Sequence, residues 1–413
     1  MKDKNRNIES RIETLLGFFP VVVILGVRQC GKTTLAKKLR PTWRYYDLER
    51  FRDYTFITED PDFFFRENPG SVIIDEAQRY PMLFRELRGV IDSDRGSKNR
   101  FVLTGSSSPE LSKSVSESLA GRVGLIELGT FKMNETYGLK LPDFYRIFEG
   151  KIDGQTLPAI QKLPPSLSHN QVMDSFLRGG YPEPVLADND RFFLSWMENY
   201  YETYIQRDIR SLFPRLNLTR YQRFISMLSA LSGTIVNRSE TARSLDISEK
   251  SIRDYLEIAS GSYIWRNIPS YEKSSGKSVV KMPKGCFRDS GLSHFLQGIR
   301  DREQLVRHPS VGASFESFMV EEIVKGVQAL EIARTNVYYF RTRNGAEVDL
   351  ILEGDFGVLP IEIKFGSSVK RRQIRSLEAF VEKNDLPLGI VVNNGDCIER
   401  ISDKIVQLPA TYI

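Results

Sequence analysis

The stretch Val21-Val-Val-Ile-Leu25 runs directly into Gly26-Val-Arg-Gln-Cys-Gly31-Lys32-Thr33-Thr34 and then Leu35-Ala-Lys-Lys-Leu39. An apolar, β-branched run, a loop framed by two glycines and a helix start, in that order, describe a buried parallel strand whose helix returns across the sheet. The loop meets GxxxxGK[ST] at every fixed position and lies between a strand and a helix, the context in which that pattern cradles phosphate. Gly26 and Gly31 permit torsions that turn successive N–H groups inward, and the new helix adds its positive dipole end. Arg28, Gln29, Cys30 and Thr34 belong to the same cradle, the Cys30 thiol as a filler. Lys32 is suited to the β/γ-phosphates and the Thr33 hydroxyl to a metal, so ATP and Mg²⁺ are the expected ligands.

Hydrolysis needs more than a cradle. Ser71-Val-Ile-Ile-Asp75-Glu76-Ala-Gln78 supplies a second buried strand that ends in two carboxylates. Asp75 is suited to hold Mg²⁺ through water, and Glu76 to polarise an attacking water as general base. Phe101-Val-Leu-Thr104-Gly-Ser106 is another apolar strand ending in hydroxyls, and Thr104 or Ser106 either meets the γ-phosphate or serves as a turn residue. Negative charge on the γ-phosphate oxygens calls for an arginine. Arg28, Arg79 and Arg122 are the candidates, and Arg122 is preferred because it leads into the strand Val123–Leu128; its alternative is a solvated charge at a strand entry.

These motifs, with Tyr45-Tyr-Asp-Leu-Glu49 and Ser118-Leu-Ala-Gly-Arg122, resemble the prokaryotic AAA+-type ATPases whose P-loop domain is joined to a conserved C-terminal domain of unknown function. Leu177-Arg-Gly-Gly-Tyr-Pro-Glu-Pro-Val185 and Tyr200–Leu212 resemble that family's second-domain signatures. The resemblance covers essentially the whole chain. It implies ATP binding and hydrolysis, and, since AAA+ relatives often form rings, a homo-oligomer in which an arginine reaches the neighbouring subunit.

A chain of 413 residues is too long for one core and is expected to divide. The reading is α/β: a P-loop parallel sheet over 1–135, a linker and helical lid over 136–215 with little regular structure between Gly138 and Asn170, a winged-helix-like part over 216–308, and a small restriction-endonuclease-like α/β domain over 309–413. A net charge of +5 is a mild excess, so any basic surface is local. Three scattered cysteines, no apolar run of membrane-spanning length and a polar N-terminus lead to an expected cytoplasmic protein with no membrane partner.

Leu218–Leu231 reads as an amphipathic helix, followed by a short helix, a turn and a second helix over Arg238–Leu256. Ser248 and Ser251 are suited to opening the second helix, with Ile247, Ile252 and Leu256 inward. Lys250 and Arg253 would then meet DNA; the same unit also serves as a protein-docking module. Strands Tyr263–Tyr271 and Val279–Lys281, joined by the turn Lys273–Lys277, are the expected wing.

The last hundred or so residues carry Asp349 on a strand after the Asn344-Gly345 turn, and Glu362 and Lys364 two apart on the next. Glu316 lies on the preceding helix. Carboxylates of this kind bind a second Mg²⁺ or Mn²⁺ through Glu316, Asp349 and Glu362, and a lysine beside the metal can position or deprotonate water for phosphodiester attack. This is the Asp…Glu-x-Lys pattern of the restriction-endonuclease-like fold, with its αβββαβ order expected over helix 314–330, strands 337–341, 347–352 and 359–364, helix 370–384 and strand 388–392. Glu-x-Lys on a solvated edge strand is the alternative. The sequence therefore supports a Mg²⁺-dependent ATPase coupled to a DNA-directed, nuclease-like module, with an ATP-driven switch that docks a protein partner and cleaves nothing as the rival.

Overall fold

Strand Val21–Gly26 (β1) is apolar along its length because it is buried along its length, between β4 (Phe101–Ser106) and β5 (Val123–Leu128). With β2 (Arg44–Asp47) and β3 (Val72–Asp75) these strands form a five-stranded sheet in the order β2-β3-β4-β1-β5, parallel at every pairing. The computed structural model describes residues 4–106, 118–272 and 282–413. Its contacts group Asn5–Thr130 with Glu257–Ile264 in one unit, and Phe131–Leu256 with Trp265–Ile413 in another.

In the first unit, helices α1 (Glu9–Phe18), α2 (Lys32–Leu39), α3 (Phe51–Thr58), α4 (Pro61–Glu67) and α5 (Leu83–Asp92) connect or flank the strands. Asp60 caps α4 by accepting from the Phe63 N–H at 2.9 Å, and Pro61 occupies the first helical position, where its missing N–H costs nothing. α5 buries Leu83, Phe84, Leu87 and Ile91, one face at helical spacing, into a core with Val21, Val23 and Phe64. Each such side chain contributes about 1.5–3 kcal/mol of burial. Parallel register sets Ile24 beside Thr104 and Ile74 beside Leu103, so the carboxyl ends of β1, β3 and β4 finish at one edge of the sheet. Ligands of open α/β sheets bind at that edge.

The second unit has a long central helix, Val311–Ala329, and a six-stranded mixed sheet in the order β13-β14-β12-β11-β10-β9. Its strands are β9 (Asn336–Arg341), β10 (Glu347–Gly354), β11 (Gly357–Lys364), β12 (Gly389–Asn393), β13 (Glu399–Arg400) and β14 (Ile405–Pro409), with the helix Arg375–Lys383 between β11 and β12. β9 to β11 are antiparallel and β11, β12 and β14 parallel. The helix, three strands, helix and strand expected from the sequence are present in that order; β13 and β14 were not anticipated.

The segment from Gly138 to Asn170 is corrected. Rather than an irregular lid, it holds a 3₁₀ turn at Asp143–Phe148 and a helix at Thr156–Ile160, and Phe144, Tyr145, Phe148, Leu157 and Ile160 are buried. Gly326 on the central helix leaves the room that Tyr145 fills, since a Cβ there would lie 2.1 Å from the ring. The prolines suggested a linker, but the aromatic rings between them decide the outcome by burial. This segment, the central helix and strands β10 to β12 share one hydrophobic cluster.

Helices Leu218–Ala230, Arg238–Leu245 and Glu249–Gly261 form as expected, with Ser248 accepting from the Ser251 N–H at 3.1 Å. Ile252 and Tyr255 are buried, Ile247 and Leu256 half-buried, and Lys250 and Arg253 exposed. A three-stranded sheet of β6 (Thr234–Ile235), β8 (Lys284–Phe287) and β7 (Trp265–Ile268) accompanies them. The expected turn Lys273–Lys277 and strand Val279–Lys281 lie outside the described residues, and the partner of β7 is β8. The Leu177–Val185 signature serves packing: Gly180 N–H donates to Asp289 at 2.9 Å, and Cβ atoms at Gly179 and Gly180 would collide with Asp289 and Phe131. Among the described residues no helix is long and apolar enough to cross a membrane.

His294 is buried between the Leu177 carbonyl, 3.1 Å from Nδ1, and the Ser314 hydroxyl, 2.8 Å from Nε2. A carbonyl only accepts, so Nδ1 carries the proton and Nε2 accepts from Ser314. Burial pushes the imidazole pKa down to about 4. An unfolded chain, titrating near 6.5, binds this proton first as pH falls, so the contribution is complete above that value and is lost toward pH 4. The expected loss is about 3 kcal/mol at full protonation. Urea unfolding at pH 7 and pH 4.5 should show a shallower acid loss in His294→Asn than in the natural protein; equal losses would refute the assignment.

Candidate functional site

The edge where β1, β3 and β4 end gathers the first set of polar side chains. Gly31 adopts φ 96°, the left-handed conformation that glycine provides, and begins α2 with no side-chain cap among the described residues. Gln29 is also left-handed, at φ 63°. Gly26 has a different reason to be glycine from the one its sequence suggests: it continues β1, and a Cβ would lie 2.1 Å from the Leu128 carbonyl oxygen on β5. Cys30 is buried with its thiol 3.4 Å from that same oxygen, and Thr34 is exposed. Arg6 steadies the loop from behind, donating to the Cys30 carbonyl at 2.9 Å and the Gly129 carbonyl at 2.7 Å.

Lys32 is buried and donates to the Gly26 and Val27 carbonyls at 3.1 and 3.0 Å, folding its ammonium back over the loop. Asp75, at the end of β3, accepts from Thr33 at 2.8 Å and from Tyr45 at 2.7 Å on one oxygen and from Thr104 on the other. Burial and the bond to Asp75 raise the Tyr45 phenol well above its ordinary range. Glu76 takes a left-handed backbone, φ 54°, which for a non-glycine residue stores strain of order 1–3 kcal/mol. It receives Gln78 on one oxygen and faces Ser106 at 3.4 Å on the other.

The arginines are differently employed. Arg122 makes a two-pronged pair with Asp92, at 2.8 and 3.0 Å, and this holds the Asp92 carboxyl below its usual range. Arg28 and Arg79 both approach Glu49, at 3.8 and 3.7 Å. The uncapped helix start, the ammonium of Lys32 and the hydroxyl–carboxylate pair Thr33–Asp75 match, in donor chemistry, what a Mg²⁺-bound nucleotide phosphate requires. The hydroxyl of Tyr45 on Asp75 was not anticipated; its place beside β3 in a parallel sheet is set by pairing rather than by any local pattern.

The second set lies in the other unit. Asp349 and Glu362 fall opposite each other on β10 and β11, where Leu350 pairs with Ile361. Lys364 is 2.5 Å from Glu362 and 3.2 Å from Asp349, and the Ile363 N–H donates to Asp349 at 2.9 Å. Glu316 joins from the central helix: one oxygen each of Glu316, Glu347 and Asp349 lie within 4.8 Å of one another. All four expected residues converge. Two more were missed: Glu347, two residues before Asp349 on the same strand face, and Lys284, from β8, which has no local signal. Burial and the Asp349 charge raise the Glu316 and Glu362 carboxyls, whereas the two lysines overcome burial and lower that of Asp349. One oxygen of Glu362 has no hydrogen-bond partner among the described residues.

A family model described as an AAA domain matches residues 19–137, and domains of unknown function, DUF8612 and DUF4143, match residues 169–303 and 311–413. With its strand order and loop, the first unit is an AAA-type P-loop ATPase domain. Rv2008c, an uncharacterized protein of Mycobacterium tuberculosis, is 34% identical over 414 residues, covering 99% of this chain and 84% of its own length, and the chain belongs to the same family. The uncharacterized protein MJ1544 of Methanocaldococcus jannaschii is 23% identical over 422 residues, covering 97% and 88%. Among solved structures, the Walker-type ATPase PABY2304 of Pyrococcus abyssi aligns at 16% identity and a TM-score of 0.45, over 72% of this chain and 96% of that one.

Gly26 yields a direct test. Because the Leu128 oxygen is backbone and cannot swing away, Gly26→Ala should destabilise the first unit by about 1–3 kcal/mol. Denaturant unfolding checks this; an unchanged midpoint would mean that β1 and β5 are not held this closely.

Proposed function

We propose that this protein hydrolyses ATP with Mg²⁺ and uses nucleotide state to control a DNA-directed C-terminal module of restriction-endonuclease-like fold. The observation that carries the first half is the carboxylate of Asp75 receiving Thr33 and Thr104 at the end of β3, with Glu76 next to it in a strained backbone. Mg²⁺, when bound, neutralises phosphate charge and orients the γ-phosphate. Thr33 and Asp75 would hold it, Lys32 would leave its loop carbonyls for the phosphates, and the loop from Gly26 to Thr34 with Arg28, Gln29 and Cys30 would wrap them. Glu76 would take the proton of the water that attacks the γ-phosphorus, while the bond from that phosphorus to the β–γ bridging oxygen breaks and ADP leaves, with Ser106 beside the carboxylate. Arg122, preferred from the sequence, is corrected for this chain: Val123 pairs with Val21 at the start of β1, so Arg122 lies at the sheet edge opposite the loop, held by Asp92. It could meet the phosphates only of a second copy in a homo-oligomer, whereas Arg28 and Arg79 follow the carboxyl ends of β1 and β3. A cytoplasmic site of action fits this reading.

The order of helix, three strands, helix and strand, with Glu316, Asp349, Glu362 and Lys364 brought together, supports the nuclease-like reading of residues 309–413. Exposed Lys370, Arg371, Arg372 and Arg375, and exposed Lys250 and Arg253, offer charge to a phosphate backbone. A second reading, a switch that docks a protein and cleaves nothing, is favoured by Lys284, whose ammonium lies among the carboxylates a metal would need. In this arrangement the set does not fit a second Mg²⁺ or Mn²⁺.

ATP turnover should rise several-fold with single-stranded or duplex DNA and fall at least about 10²-fold in Glu76→Gln. A flat response across nucleic acids would overturn the DNA-directed reading, and unchanged turnover in Glu76→Gln would overturn the role of that carboxylate.

A further inference from the structure

Lys284 opens β8, outside the helix-and-strand order that carries Glu316, Asp349, Glu362 and Lys364. Its side chain is 2% exposed, and its ammonium touches Glu316 and lies 2.7 Å from Glu347 and 3.3 Å from Asp349. Those are the three side chains whose oxygens converge closely enough to share one ion. An ammonium has donors and no acceptor, and here it donates to Glu347 and Asp349 and forms an ion pair with Glu316. A lone charge buried at this spot would meet a severe desolvation cost, which these carboxylates offset.

The remaining contacts point the same way. Asp349 is fully engaged, by Lys284 on one oxygen and by Lys364 and the Ile363 N–H on the other. Glu347 is shared between Lys284 and Arg341, the latter at 3.3 Å. Burial pulls the Lys284 ammonium toward losing its proton, but the charges of Glu316, Asp349 and Glu347 prevail and keep it charged. A divalent ion on the same oxygens would sit about 2.0–2.6 Å from each. Both cations cannot occupy that space.

We propose that Lys284 is a built-in cation that closes this carboxylate set to divalent metal, so that the set accepts a metal ion only when the Lys284 side chain is withdrawn. The inference rests on reading the carboxylates as a metal-type set, and not on DNA being the target. Lys284 thereby acts as a latch on residues 309–413. While it is seated its ammonium occupies the space between the three carboxylates; once it is removed, that space is open to a divalent cation.

Mn²⁺ is the probe, added to the full-length protein without nucleotide and counted by electron paramagnetic resonance. Lys284→Met should bind one more equivalent than the natural protein, and Lys284→Met with Asp349→Asn should lose it. The natural protein and Asp349→Asn alone should bind equal amounts. If the natural protein binds one more than Asp349→Asn, the latch is refuted while the metal-type reading stands. If folded Lys284→Met gains nothing, both fail. Circular dichroism checks folding, and Lys284→Gln, which keeps a hydrogen-bonding side chain, provides the same count if Lys284→Met does not fold.

Discussion

The carboxylate of Asp75 ties together three elements that are far apart in the chain. It receives the hydroxyls of Thr33 at the start of α2, Tyr45 on β2 and Thr104 on β4. Buried carboxylates are tolerated only when their lone pairs are satisfied, so these donors and the parallel register that delivers them are a single requirement. A shift of β3 against β4 by one residue would turn Asp75 to the opposite face of the sheet. The loop, the acidic pair and the hydroxyls at the end of β4 depend on that register.

The two polar sites use their cations in different ways. At the first, Lys32 is satisfied by two carbonyls of its own loop, a neutral resting place that an anion can outcompete. At the second, Lys284 is satisfied by carboxylates, and only another cation could replace it. The first arrangement is open to a phosphate, whereas the second is closed to a metal until a side chain moves. ATP chemistry and the C-terminal carboxylates therefore stand at opposite ends of readiness in this conformation.

Much of this was legible in the sequence wherever a local pattern carries the physics. The β-branched run of β1, the glycine-lysine loop, Asp75-Glu76 and the Asp349…Glu362-x-Lys364 spacing each identify an element and the face it presents. Legibility failed where tertiary contact decides. Prolines around Asp143–Phe148 suggested an irregular lid, but four of its six residues are aromatic or aliphatic and three, Phe144, Tyr145 and Phe148, enter the core. Gly26 looked like a torsional requirement and is instead a close approach to Leu128. Lys284 was missed because nothing near it in the chain signals that carboxylates from a distant helix and strand will surround it.

On the proposed reading, Gly26–Thr33 and Asp75 make a nucleotide site in this chain. Calorimetric titration of Mg²⁺-bound ATP into the full-length protein tests it most directly. One nucleotide per chain, with binding lost in Lys32→Ala, is the predicted result; binding that is unchanged in Lys32→Ala, or absent from the natural protein, would contradict it.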